Sequence, residues 1–299
     1  MATFVIVCAT ALLAAACAAQ EAVPIVTTRD VVYGKVGERE LRLDIDQPRT
    51  PGAKMPVVVY IHGGAFRGGT HHGDQNRRFA AQGYFCVSIE YRLSGEAKWP
   101  AQIHDCKAAI RWLRANAERY RLDSERIGVW GHSAGGHLAA LLGTSGDQAE
   151  LEGASGNPGH SSRVSCVVDC FGPTNFLAMI GEPGMDHAGP DSPESQLLGK
   201  PLRQVPELVR QADPCTWVTP ASPPFLIQHG ERDMVVPCSQ SRLLAEALQK
   251  ACVEVTLDVV AGADHGFRGA DRETLAALNT EVDSFFRRHL RGTPTEPPH

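Results

Sequence analysis

GVWGHSAGGHLAALLG, residues 128–143, runs from a strand-like stretch into a glycine-flanked serine and on into an Ala/Leu series with the look of a helix. Ser133 stands at the junction, with Gly131 two residues before it and Gly135 two after. Two readings compete. A serine in a glycine-rich turn can simply cap a helix. Alternatively the turn is a nucleophile elbow, which holds the serine in a strained conformation and needs glycines where a Cβ would strike the adjoining strand or helix. The strand before Ser133 and the helix after it favour the second reading.

A serine hydroxyl is a weak nucleophile at neutral pH, so the rest of the chain must supply a base. Of the 12 histidines, His265 in AGADHGF follows the last apolar run and is the best placed. His229 in QHGERD is the rival, although its position suits shaping a turn. His132 and His137 are too local to the elbow, and His71 and His72 read as solvated loop residues. The base needs a carboxylate behind it. Asp233, after the run PFLIQHG, fills that role, and Glu231 and Asp264 are its neighbouring alternatives. The resulting order Ser133, Asp233, His265 suits this architecture. An oxyanion needs donors fixed in advance, and the backbone amides of Gly63 and Gly64 in YIHGGAF and of Ala134 are the candidates.

MPVVVYI, YFCVSIEYR, RIGVWGHS, RVSCVVDCFG, PFLIQHGERD and VTLDVV are continuous apolar runs rather than alternating ones, which suits strands buried on both faces of a parallel sheet. Ahead of them, Val23–Tyr33 and Leu41–Ile45 around GKVGE predict a hairpin. Helical spacing falls between the runs, at Asp74–Gln82, 100–120, His137–Leu142, Ser239–Ala251 and Glu273–Leu290. In 100–120 the basic residues are expected on the face away from the apolar one. Strand–helix alternation predicts a mostly parallel sheet covered on both faces. Residues 173–222, rich in Gly, Pro, Asp and Ser, are too long for a structureless loop and predict a small helical, lid-like insertion. Residues 20–291 thus form one domain, followed by a disordered tail at 292–299.

Hydrophobic residues make up 43% of the 299, enough for a sizeable core, and the net charge of −5 with scattered Lys and Arg gives no basic block for nucleic acid. Residues 1–19 are small and apolar, too short for a comfortable membrane span, and read as a secretory signal peptide. A secreted or periplasmic location follows. Cys17 invites a lipid-anchor reading, which Ala14 weakens by standing where a branched apolar residue is usual. Seven cysteines follow the leader, an odd number. Cys86 and Cys166 lie in apolar runs and read as buried thiols, whereas Cys170, Cys215 and Cys238 are better disulfide candidates. Without CxxC or HExxH, no metal is expected.

HGGAF, GHSAGGHLA, HGERDMVVP and GADHGF together resemble the α/β-hydrolase superfamily, esterase/lipase branch, over residues 57–267. YRLSGEAKWPAQIHDCKAAIRWLRANA is similar to the segment before the elbow in that branch. Within it the chain looks most like bacterial carbohydrate esterases that remove acetyl or feruloyl groups from plant polysaccharides. Ala65 stands where members with HGGG have a third glycine. The resemblance implies an α/β-hydrolase fold of eight mainly parallel strands with a lid, no cofactor, and hydrolysis through an acyl-serine.

Three functions remain open: a serine ester hydrolase acting on small or medium acyl esters or carbohydrate esters, an oligopeptidase-like serine peptidase, and a non-catalytic binding protein on the same fold. The apolar residues Phe176, Leu177, Met179 and Ile180 of the insertion are expected at the substrate pocket. Trp99 and Trp217 are read either as stacking platforms for a sugar or aromatic acid or as core.

Overall fold

The computed structural model describes residues 23–51, 54–146 and 148–291. The leader, Cys17 and the 292–299 tail lie outside them. Eight strands form one sheet: β1 Ile25–Val36, β2 Arg39–Pro48, β3 Met55–Ile61, β4 Phe85–Ile89, β5 Leu122–His132, β6 Cys166–Cys170, β7 Phe225–Gly230 and β8 Val255–Val260. Their order is β1-β2-β4-β3-β5-β6-β7-β8. β2 runs antiparallel to both β1 and β4, and all pairs from β4 to β8 are parallel.

Side chains of a strand alternate between the two faces, and here both faces are covered. Val57, Val59 and Ile61 of β3 enter one core, together with α2 (Ala101–Ala115), α4 (Ala134–Thr144) and α7 (Ser239–Lys250). Val58 and Tyr60 enter the other core, with Phe79 of α1 (Arg77–Ala81) and Val282, Phe285, Phe286 and Leu290 of α8 (Arg272–Arg291). Every residue of β3, β4, β6 and β7 is buried, which accounts for their predominantly apolar sequence, interrupted only by Ser88, Asp169, Gln228 and His229 beside Tyr60 and the cysteines. All of α4 is buried too, as expected of a helix apolar on every side.

Several expectations change. The hairpin exists, but its turn is the pair Gly37–Glu38 with both strands longer than expected. The 100–120 helix stops at Asn116, whose side chain donates to Trp112 O at 2.9 Å, and a short α3, Ala117–Tyr120, follows. Its basic residues are not all on an exposed face. Lys107 and Arg111 are buried because Glu152, from the loop covering the helix, takes both at 2.7 and 2.8 Å. Cys170, Cys215 and Cys238 form no disulfide; all seven cysteines of the described residues are free thiols, and Cys170 and Cys238 are buried in packed segments. Trp99 and Trp217 are buried in the first core, so neither is a stacking platform.

Between β6 and β7 the chain forms α5 (Pro193–Leu198), α6 (Pro206–Ala212) and short 3₁₀ turns. Phe176 and Met179 point into the core rather than toward the substrate side, because the insertion is fastened down by them together with Leu197, Leu202 and Val209. Among the described residues, no helix is long and apolar enough to cross a membrane.

Candidate active site

Ser133 follows β5 directly and has φ 55°, ψ −122°. A non-glycine residue rarely adopts positive φ, and here the surroundings over-determine it. Its amide donates to Cys170 O at 2.9 Å, and its carbonyl accepts from His137 N at 3.0 Å. Although Ser133 occupies the N-cap position of α4, its hydroxyl makes no capping bond. This removes the capping interpretation. The flanking glycines are sterically required. A Cβ on Gly131 would lie 2.3 Å from Gly135 O, and one on Gly135 only 2.1 Å from Ile61 O. Both obstacles are backbone, so Gly135→Ala must push β3 from α4. A loss of about 3 kcal/mol in a urea melt is the expected outcome.

The Ser133 hydroxyl instead faces His265, with Oγ 3.1 Å from Nε2. His265 Nδ1 lies 2.7 Å from Asp233 Oδ2. The three side chains come from the turns after β5, β7 and β8, brought to one edge by the parallel sheet. Asp233 Oδ1 accepts from the amides of Val235 and Val236, each at 2.8 Å. Burial alone would raise this carboxyl, but hydrogen bonds from His229 and His265 outweigh it and hold Asp233 well below the usual carboxylate range.

The rejected neighbours have other tasks. His229 is fully buried, with Nε2 2.8 Å from Val236 O and 3.3 Å from Asp233 Oδ2, and with Nδ1 2.6 Å from Ser241 Oγ. It braces the acid loop and does not reach Ser133's hydroxyl. Glu231 accepts from Gly262 N at 3.0 Å. The Asp264 carboxylate accepts from Met234 N at 3.0 Å and His265 N at 2.7 Å, tying the acid loop to the histidine loop. His132 is packed between Trp130 and Phe171, and burial, with smaller contributions from Arg78 and His265, lowers it to about 4. It therefore adds no positive charge beside His265. The Phe171 ring meets His265 edge-on at 4.8 Å.

Gly63 lies against the elbow: a Cβ there would stand 2.7 Å from His132 O and 3.4 Å from Ser133 Cβ. Gly64, Ala65 and Phe66 follow with φ of 116°, 56° and 58°, which turns the chain back sharply at this point. Arg67 N and Gly68 N both donate to Gly64 O at 3.0 Å. The His62 ring stacks on Tyr91 at 4.4 Å, and Tyr91's hydroxyl donates to His62 O at 3.0 Å, so the glycine loop is fixed from behind.

Ser133 and Ala134 open on a small pocket of about 20 Å³ lined by Ala65, Phe66, Pro173, Met185, His187, Pro193, Glu194, Val235 and Val236. His187 and Glu194 escaped the sequence reading, since no periodic pattern or motif marks HAGPDSPE. Both are buried. His187 Nδ1 lies 3.1 Å from Glu194 Oε2, and its Nε2 3.0 Å from Val235 O. Both ring nitrogens thus face oxygen acceptors. Burial opposes a charge on His187, but the Glu194 carboxylate prevails and raises it above the usual imidazole range. One wall of the pocket is therefore polar. A wider groove of about 420 Å³ adjoins it, sharing Met185 and Pro193 and adding Arg67, Asp186, Asp191 and Ser192.

A serine after β5, an aspartate after β7 and a histidine after β8, on an eight-stranded mostly parallel sheet, define an α/β-hydrolase. More narrowly, the chain belongs to the BD-FAE family, whose model matches residues 43–248; the dienelactone hydrolase family model also matches residues 209–289. It is 34% identical over 257 residues to Esterase LipC of Mycobacterium tuberculosis, covering 80% of this chain and 59% of LipC. The chain thus spans somewhat over half the length of that relative. Among solved structures it is similar to the bifunctional GH43-CE protein of Bacteroides eggerthii (35% identity, TM-score 0.79, 88% of this chain and 35% of that one). It is also similar to a truncated carbohydrate esterase from gut microbiota (30% identity, TM-score 0.74, 91% and 98% covered).

Proposed function

We propose that this chain hydrolyses carboxylic esters of short acyl groups through an acyl-serine, with a carbohydrate as the alcohol. The observation that carries the reading is the Ser133–His265–Asp233 line, with contacts of 3.1 and 2.7 Å. His265 Nδ1–H donates to Asp233, which leaves Nε2 free to take the Ser133 proton. Oγ then attacks the ester carbonyl, whose oxygen gains negative charge at the amides of Gly63, Gly64 and Ala134. Collapse of the tetrahedral species breaks the bond to the alcohol oxygen, which leaves with the proton from His265. A water then gives a proton to His265 as its oxygen bonds to the acyl carbon, and collapse breaks the carbon–Oγ bond, returns the proton to Ser133 Oγ and releases the carboxylic acid.

Acyl size follows from the pocket. A volume of about 20 Å³ beside Phe66, Pro193 and the His187–Glu194 wall lies far below the roughly 300–1,000 Å³ of sites for drug-sized ligands. The adjoining groove carries Arg67, Asp186, Asp191 and Ser192, which offer hydrogen-bond partners to a hydroxyl-rich leaving group. The carbohydrate esterase named in one structural relative agrees with this assignment.

A nitrophenyl ester series from acetyl to decanoyl, run beside acetylated xylan, methyl ferulate and an aminoacyl anilide, tests the reading. Acetyl and propionyl esters should exceed decanoyl at least tenfold in kcat/KM, with acetate released from xylan. Activity confined to long chains, or anilide cleavage exceeding ester cleavage, would overturn it.

A further inference from the structure

Outside the Ser133 pocket, four side chains from three segments converge beside the β1–β2 hairpin. Asp30 lies on β1 where the pairing register breaks, Asp44 on β2, and His71 and His72 in the loop that leaves β3. One ligating atom from each lies within 4.8 Å of all the others. His72 Nδ1 is 2.8 Å from Asp44 Oδ2, and His71 Nε2 is 3.2 Å from Asp30 Oδ1 and 3.6 Å from Asp44 Oδ1. These separations bracket the donor spacing of about 3.4 Å that a four-coordinate zinc with bonds of roughly 2.1 Å demands.

Hydrophobic packing does not account for this cluster. His71, expected to be a solvated loop residue, is 6% exposed, and Asp44 4%. Both nitrogens of His71 face carboxylates, since its Nδ1 lies 3.8 Å from Glu90 Oε2. A neutral imidazole carries one N–H and can donate to only one of these carboxylates, which leaves the other nitrogen open to a cation. A metal on Nε2 would leave Nδ1–H directed toward Glu90, the carboxylate–histidine–metal arrangement that orients such ligands. Arg29 now answers part of the charge: its Nη1 is 2.8 Å from Asp44 Oδ2 and 3.4 Å from His72 Nδ1. Its side chain is 54% exposed and is free to swing out.

We propose that Asp30, Asp44, His71 and His72 bind one divalent transition-metal cation of the zinc type. Two neutral imidazoles and two carboxylates balance a 2+ charge, and the mixed N₂O₂ set suits zinc better than calcium, which takes six to eight oxygens. The bound ion would fasten the loop after β3 to the hairpin. That loop also carries Gly63 and Gly64, so the metal would stiffen the glycine turn from outside. The proposal stands independently of the ester-hydrolase reading.

The test uses the full chain without a histidine tag, in a Cys252→Ser background that removes the exposed thiol, after dialysis against EDTA. Titration with zinc chloride should show one equivalent bound at micromolar affinity or better and a raised melting temperature. Cobalt(II) in its place should give the intense visible bands of a four-coordinate ion. Asp30 and His72 are exposed, so Asp30→Asn and His72→Ala should keep the native circular dichroism while each weakens zinc at least tenfold. Absence of stoichiometric zinc, a weak six-coordinate cobalt spectrum, or affinity unchanged in both variants would overturn the proposal.

Discussion

Ser133→Ala is expected to lower nitrophenyl acetate turnover by about four to six orders of magnitude, with loss of fluorophosphonate labelling. The geometry explains the size of the effect. Oγ is the only atom removed, and it is the one 3.1 Å from His265 Nε2. No neighbouring hydroxyl or thiol stands in its place at the pocket mouth. Because Oγ makes no helix-capping bond, the fold loses little, and alanine tolerates φ 55° about as poorly as serine does. Thermal unfolding of the variant should therefore match the parent within a few degrees. Retained turnover would move the nucleophile elsewhere. Equal loss of turnover and of fold would make Ser133 a structural residue.

Asp233→Asn should cost about 10⁴-fold in kcat with the fold retained. An amide has one acceptor oxygen and one NH₂, whereas the site presents donors on both sides. Val235 N and Val236 N point at Oδ1, and His265 and His229 meet Oδ2. If the amide oxygen stays with the two backbone N–H groups, its NH₂ faces His265 Nδ1. The ring must then accept there and carry its proton on Nε2, toward Ser133, where it is useless as a base. The pH dependence of stability provides a second readout. Asp233 is held below its ordinary range, so its ionised form stabilises the fold above about pH 4 and that contribution is lost as pH falls toward the depressed value. The Asn variant should lack this part of the acid sensitivity. A variant with full kcat would show that His265 needs no oriented carboxylate.

The strand and helix order was readable because the parallel strands are mainly apolar runs and their helices are amphipathic or largely apolar. Ser133, Asp233 and His265 were readable because each sits at the end of such a strand, where chemistry and topology coincide. What lies around them was not. His187 and Glu194 belong to an insertion without periodicity, and their partner Val235 is 48 residues from His187. The burial of His71 was hidden because a loop residue has no pattern that shows which side chains close over it. Lys107 and Arg111 were misread for a related reason: helical spacing shows which side is polar, but not that Glu152 will arrive to cover it. The cysteines show the limit of counting, since position in the chain says nothing about whether two Cβ atoms approach.

Ser133, Asp233 and His265 sit beyond the carboxyl ends of β5, β7 and β8, and the opposite rim of the sheet is where α7 hands the chain back to β8. Cys252 stands at that handover and is the one exposed thiol among the described residues. A maleimide dye or a derivatised bead fixed there would approach from behind, leaving the pocket at Ser133 uncovered. The molecule thus carries its own point of attachment for oriented immobilisation.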